Sequence, residues 1–177
     1  MIKVAQVVLR LLEPEDLNQL YIFRNDYEIT RHLGGFSAGF SHSDLKEWLE
    51  SHRQRNDEII WAIATQKDNI CIGHVGLYQI DYRVRKADFG ILIGDTNQQG
   101  KGIGKAVSSV ILNYGFQQLN LHKVSLSVLA TNERAIKLYH SIGFQKEGIM
   151  RDEQFRDGKY VDSIIMSCLE QEWQDYH

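Results

Sequence analysis

Gln99-Gly100-Lys101-Gly102-Ile103-Gly104-Lys105 is the stretch of this chain whose residue types and spacing can do chemistry. Its glycines strip a loop of Cβ atoms where apolar residues begin to recur at Ile103, Ala106, Val107, Val110, Ile111 and Tyr114, the spacing of a helix packed on one face. A helix start leaves backbone N–H groups without partners and carries partial positive charge, so a bare loop there admits a phosphate or pyrophosphate. Lys101 and Lys105 add charge beside it. The same residues also describe a plain tight turn into a helix. Upstream, Asp88-Phe89-Gly90-Ile91-Leu92-Ile93 reads as a central strand buried on both faces, with a carboxylate at its entry. The unit is strand, glycine loop, helix.

Two familiar phosphate loops are excluded by spacing. A Walker loop requires glycine where Gln99 stands and a hydroxyl where Ala106 stands; a dinucleotide fingerprint requires glycine at Lys105 and an acid near Leu119 to Val124, where there is none. What remains is Gln-x-x-Gly-x-Gly at Gln99, Gly102 and Gly104, which resembles the pyrophosphate signature of the GNAT superfamily of acyl-CoA N-acyltransferases. Downstream, Val124 to Val128 reads as a strand and Asn132 caps a helix that ends at Gly143. The run from Asn132 through Ala135 and Tyr139 to Gly143-Phe144 is similar to that superfamily's second signature.

The resemblance implies acetyl-CoA as cosubstrate, with the cofactor held at Gln99, Gly100, Lys101, Gly102, Ile103, Gly104 and Lys105, by backbone groups of Ile91, Leu92 and Ile93, and by Asn132. Lys137 either meets a CoA phosphate or faces water. Acyl transfer needs a neutral amine, yet an alkylamine with pKa near ~10.4 is almost wholly protonated at neutral pH. By resemblance Asp88 is the base, and its shorter side chain favours relay through water; otherwise it is a strand-edge acid paired with Arg83, Arg85 or Lys86. The departing thiolate, of pKa around ~8.5, needs a protonated donor, and Tyr139 stands at the family's acid position; the alternative is a tyrosine filling core. A non-catalytic acyl-CoA-binding module is the reading from a different functional class.

The elements that must position these residues follow from pattern. Gln6 to Leu12 reads as a first strand, and Glu13-Pro14-Glu15-Asp16 opens a helix carrying Leu17, Leu20 and Tyr21. A short helical piece near Tyr27 to His32 precedes a glycine-rich loop, Gly34 to Phe40, expected to be mobile, and a helix with Leu45, Trp48 and Leu49. Ile59 to Thr65 and Ile70 to Ile80 form one hairpin; Phe144 to Gln154 and Lys159 to Leu169 form another around Asp157-Gly158. One helix then crosses over between two strands. The expectation is an α+β fold, a GNAT-like mixed, mainly antiparallel central sheet flanked by helices, in one domain spanning 1–177.

With 23 acidic against 20 basic residues and no basic run, the chain lacks the footprint of a nucleic-acid binder. Seven scattered histidines have no paired ligand spacing, so no metal is expected. Cys71 and Cys168 lie in apolar runs and read as buried free thiols. No membrane span or signal peptide is apparent, and a cytoplasmic protein, possibly a homodimer, is expected. For the acceptor, a small-molecule primary amine is expected. Arg24 and Arg31 and the absence of an acid-rich loop favour an amine carrying an anion, such as a nucleotide-linked amino sugar, over spermidine or a protein N-terminus.

Overall fold

A computed structural model describes residues 1–34 and 38–176. Eight strands form one sheet: β1 (Ile2–Val4), β2 (Val7–Leu11), β3 (Ile59–Thr65), β4 (Cys71–Asp81), β5 (Lys86–Ile93), β6 (Lys123–Leu129), β7 (Gln145–Arg156) and β8 (Lys159–Leu169). Their order is β1-β2-β3-β4-β5-β6-β8-β7, antiparallel throughout except for β5 against β6. That parallel step requires a crossover, supplied by α4 (Ile103–Gln117). The other helices are α1 (Leu17–Asn25), α2 (Tyr27–Thr30), α3 (His42–Arg53), α5 (Glu133–His140) and α6 (Glu170–Tyr176). The mixed, mainly antiparallel sheet flanked by helices is the expected class.

The sheet is packed on both sides. One cluster joins Trp61, Val75, Leu77 and Phe89 to Ile103, Val107 and Ile111 of α4, with Tyr139 against its edge. A smaller one joins Ala62, Cys71 and Leu92 to Leu17, Leu20 and Phe23 of α1 and Leu45 and Leu49 of α3. Alternation along the strands assigns the faces: Val75, Leu77 and Phe89 point to α4, whereas His74, Gly76 and Tyr78 of β4 and Asp88, Gly90 and Leu92 of β5 point to α1 and α3.

Several expectations need correction. The first strand is a hairpin, β1 and β2, turning at Ala5 with φ of 48°, a left-handed residue that is not glycine or asparagine and so gave no turn signal. The helix expected from Pro14 begins as a single 3-10 turn, Pro14–Asp16, before α1. α6, which buries Trp173, was not anticipated. The expected mobile loop falls partly on residues 35–37, outside the described residues; beyond them Asn25 bonds the backbone of Phe40 in both directions, at 2.8 and 3.0 Å. Cys71 and Cys168 are buried free thiols, as expected. Among the described residues no helix is long and apolar enough to cross a membrane, and no group of three or more His, Cys, Asp or Glu is placed to hold a metal.

Candidate active site

β5 pairs with β4 from Asp88 to Ile93, yet it pairs with β6 only at Lys86, Ala87 and Asp88, opposite Lys123, Val124 and Ser125. Beyond Asp88 the two strands diverge, and β6 continues against β8 alone. Alternate backbone groups of Phe89 to Ile93 therefore face a gap instead of a neighbouring strand. The expected burial on both faces holds through Phe89 on one and Leu92 on the other, but it is incomplete, with Asp88 exposed and Gly90, Ile91 and Ile93 intermediate, and the edge toward β6 is open.

The glycine loop stands at the mouth of this gap. The Gln99 side chain donates to the Ile93 carbonyl at 3.0 Å and accepts from Arg134 of α5 at 3.1 Å, so it ties the loop to β5 and α5. Gly100 and Gly102 both have φ of +77°, with nothing within 4 Å of where a Cβ would stand, so glycine is required there by conformation and the loop surface is open. At Gly104 a Cβ would lie 3.1 Å from Leu138, so its absence lets the first turn of α4 seat against α5. Ile103 is buried and offers only its backbone N–H. Lys101 and Lys105 are exposed beside the helix start.

Two other expected cofactor residues divide. Asn132 caps α5, accepting from the Ala135 N–H at 3.2 Å, while its amide nitrogen donates to the His32 carbonyl at 3.3 Å. Gly143 closes the far end of α5 with φ of 96°. Lys137 pairs with Glu133 at 3.6 Å, both side chains 79% exposed. It lies on the face of α5 away from the core, a position that both expected alternatives, a CoA phosphate and water, share.

Asp88 and Tyr139 flank β5 where it leaves β6. Asp88 makes no ion pair; Arg85 instead reaches Asn120 and Glu170. Desolvation raises the Asp88 carboxyl above its usual range, opposed weakly by Lys86. Tyr139 packs edge-on against Phe89 and Phe144, with centroids 6.2 and 5.7 Å apart, and burial pushes its hydroxyl up to about 12. Asp88 faces α1 and α3, whereas Tyr139 packs on the side to which Phe89 points. An amine entering from one side and a thiol leaving on the other would meet them in turn.

The raised Asp88 carboxyl has a consequence for stability. A carboxylate whose folded pKa exceeds its unfolded value destabilises the native state as pH rises through the unfolded value near ~3.9, so at pH 7 the charge is held at a cost. Asp88→Asn is expected to lower kcat/KM, most strongly at low pH where neutral amine is scarcest, while leaving the melting temperature at neutral pH unchanged or higher. Parallel activity and thermal-melt curves check this; loss of stability together with activity would make Asp88 a structural residue.

Sequence reasoning missed the wall on the α1 and α3 side. His74 is buried between Arg24, whose guanidinium approaches its Nε2 at 3.3 Å, and Tyr78, whose hydroxyl stands 3.5 Å from its Nδ1. The Arg24 guanidinium lies over the rings of Phe40 and Trp48, 5.2 and 5.0 Å from their centroids. Gly76 and Gly90 face each other across β4 and β5, and a Cβ at either would meet the Tyr78 ring, at 2.9 and 3.1 Å. The tyrosine therefore lies down over the glycine pair and forms the floor beside Asp88. The available signal was His74-x-Gly76-x-Tyr78, alternate non-aliphatic positions on one face of an otherwise apolar strand.

A sheet that opens between two parallel strands beside a glycine-bearing helix start defines an acyl-CoA-dependent N-acyltransferase. Residues 6–145 match the acetyltransferase (GNAT) domain model, and the chain belongs to that family. It is an acetyl-CoA-dependent N-acetyltransferase. The chain is 34% identical over 170 residues to a spermidine N(1)-acetyltransferase of Vibrio cholerae, covering 96% of each, and 29% identical over 176 residues to a putative ribosomal N-acetyltransferase of Bacillus subtilis, covering 95% of this chain and 93% of that one. Among solved structures it superposes on spermidine N-acetyltransferase from Vibrio cholerae in complex with CoA and spermine with a TM-score of 0.88, at 32% identity and covering 96% and 98% of the two chains.

Proposed function

We propose that this protein acetylates a small aliphatic amine of the polyamine class, within a single catalytic domain. The observation that carries the reading is the likeness, over nearly the whole of both chains, to spermidine N-acetyltransferases. The amino-sugar expectation rested on two arginines and on the absence of an acid-rich loop, and one of the arginines is engaged elsewhere: Arg31 is exposed, lies over Tyr27 and is paired with Glu28 at 3.2 Å.

In this reading the pyrophosphate of acetyl-CoA sits against the first turn of α4 at Gly100 to Lys105, and the pantetheine arm lies along Ile91 to Ile93 in the gap, with Asn132 beside it. The amine enters over Tyr78. Its N–H bond breaks with the electron pair kept on nitrogen, and the proton passes through water to a carboxylate oxygen of Asp88. The nitrogen attacks the thioester carbon, and a backbone N–H of β5 bonds the developing oxyanion. The nitrogen of the intermediate, now positively charged, gives its second proton to water, and collapse breaks the carbon–sulfur bond with the electron pair leaving on sulfur as a thiolate, to which the Tyr139 hydroxyl donates a hydrogen bond. A hydroxyl at about 12 keeps its proton throughout the physiological range. Full transfer to a thiolate of pKa around ~8.5 is uphill, so the tyrosine acts by hydrogen-bonding the developing charge.

Side-by-side turnover of spermidine, an N-terminal peptide and a UDP-linked amino sugar tests the acceptor. The highest kcat/KM is expected for spermidine. A higher value for the amino sugar would overturn the polyamine reading and restore the expectation drawn from Arg24.

A further inference from the structure

Among the described residues Arg24 has no counter-ion. It is largely withdrawn from solvent and makes no ion pair, its Nε is buried without a hydrogen-bond partner, and its contacts are two aromatic faces and an imidazole. The charged groups on neighbouring elements have partners of their own: at the start of α2 the Asp26 side chain accepts from the Glu28 and Ile29 N–H groups, and Glu28 pairs with Arg31. On α3, His52 is bonded to Glu58, which precedes β3 and is also bridged by Arg55 at 3.3 Å. On β4 stand His74 and Tyr78, and on β5 Asp88, four residues along from the Leu92 that pairs with His74. A buried charge left unpaired is costly, because the field that a carboxylate would absorb is projected into the surroundings. Here the surroundings are the acceptor cleft.

The guanidinium must donate, so His74 Nε2 is the acceptor and its proton resides on Nδ1, facing the Tyr78 oxygen. The imidazole is thus locked neutral between the cation and the floor. Desolvation chiefly, and Arg24 next, hold its pKa down at about 3. It cannot take up the role of a base, nor can it screen Arg24 by releasing charge. The Gly76–Gly90 pair lies two residues on from His74 and Leu92, a strand advance of about 7 Å.

We propose that Arg24 is an electrostatic activator of the acceptor: its guanidinium, uncompensated among the described residues and held on Phe40, Trp48 and His74, disfavours the ammonium form of the amine lying on the Tyr78 ring that covers Gly76 and Gly90. This rests on the N-acetyltransferase reading but not on which amine is used. A unit charge about 7 to 10 Å away, the strand advance from His74 together with the reach from its ring to the guanidinium, lowers an ammonium pKa by roughly 1 to 2 units at an effective dielectric of ~20. The same repulsion weakens binding of the protonated amine, and Asp88, on the far side, receives the proton that is released. A second cation lowering an amine's pKa is an established way to make a nitrogen nucleophilic at neutral pH.

The test is the pH dependence of kcat at saturating spermidine, which reports ionisations of the bound complex, in wild type, Arg24→Lys and Arg24→Met. In Arg24→Met the acidic limb is expected to move up by about one unit, with a loss of about tenfold near pH 7 that fades near pH 9.5; Arg24→Lys should keep most of the wild-type profile. Equal loss at every pH would assign Arg24 a structural role and overturn the proposal. A second measurement needs no acceptor: an NMR titration of His74, which should rise in Arg24→Met and stay low in Arg24→Lys. An unmoved His74 would show that the field does not enter the cleft. If no amine is turned over, the functional reading fails by itself, and the His74 titration still reports whether the Arg24 charge is left uncompensated at the cleft wall.

Discussion

Tyr139→Phe is expected to lower kcat by about 10²-fold while leaving the KM for acetyl-CoA and the melting temperature nearly unchanged. The ring carries the packing: its edge contacts with Phe89 and Phe144 survive the substitution, and among the described residues the hydroxyl has no hydrogen-bond partner to lose. What disappears is one donor to the charge that develops on sulfur, an interaction worth on the order of 10² to 10³ in rate when it is made only in the transition state. Steady-state kinetics with a thermal-melt control make the measurement. Full activity would return Tyr139 to the hydrophobic core, the alternative that its place on an amphipathic helix always allowed.

The second large effect is on the cofactor. Gly102→Glu places a carboxylate at the start of α4, where the helix end and Lys101 and Lys105 favour an anion from outside. The substitution also forces a side chain onto a residue with φ of 77°, a strain of about 1 to 2 kcal/mol. Gly102→Ala carries the same strain without the charge and meets nothing within 4 Å, so it isolates the electrostatic part. By calorimetry, CoA should bind Gly102→Glu at least about 10²-fold more weakly than wild type, with Gly102→Ala close to wild type. Equal affinity for the glutamate variant would remove the pyrophosphate from this loop.

The glycine loop, α4 and the caps of α5 were legible because each is a local arrangement with its own chemical signature. Gly102 and Gly143 stand where the backbone needs positive φ, and the Asp157-Gly158 turn, with φ of 50° and 76°, pairs β7 with β8 as its residues require. The opening of β5 from β6 was not legible. Ile91, Leu92 and Ile93 have side chains suited to any buried strand, and whether a strand has a neighbour depends on residues more than thirty positions away. The acceptor wall failed for the same reason: Arg24, Phe40, Trp48, His74 and Tyr78 come from two helices, a loop and a strand that only the fold brings together. Arg31 and Lys137 were legible as charges but not as directions, since each meets a carboxylate on its own helix or beside it and turns to solvent.

Release of free thiol from acetyl-CoA, measured with and without spermidine and with the acetylated amine identified by mass spectrometry, tests the central claim most directly. Thiol release is expected to be slow with acetyl-CoA alone, to rise saturably with spermidine, and to match acetylated product one for one. Tight CoA binding without amine-stimulated thiol release, across spermidine, N-terminal peptides and amino sugars alike, would contradict the account and leave the chain as an acyl-CoA-binding module.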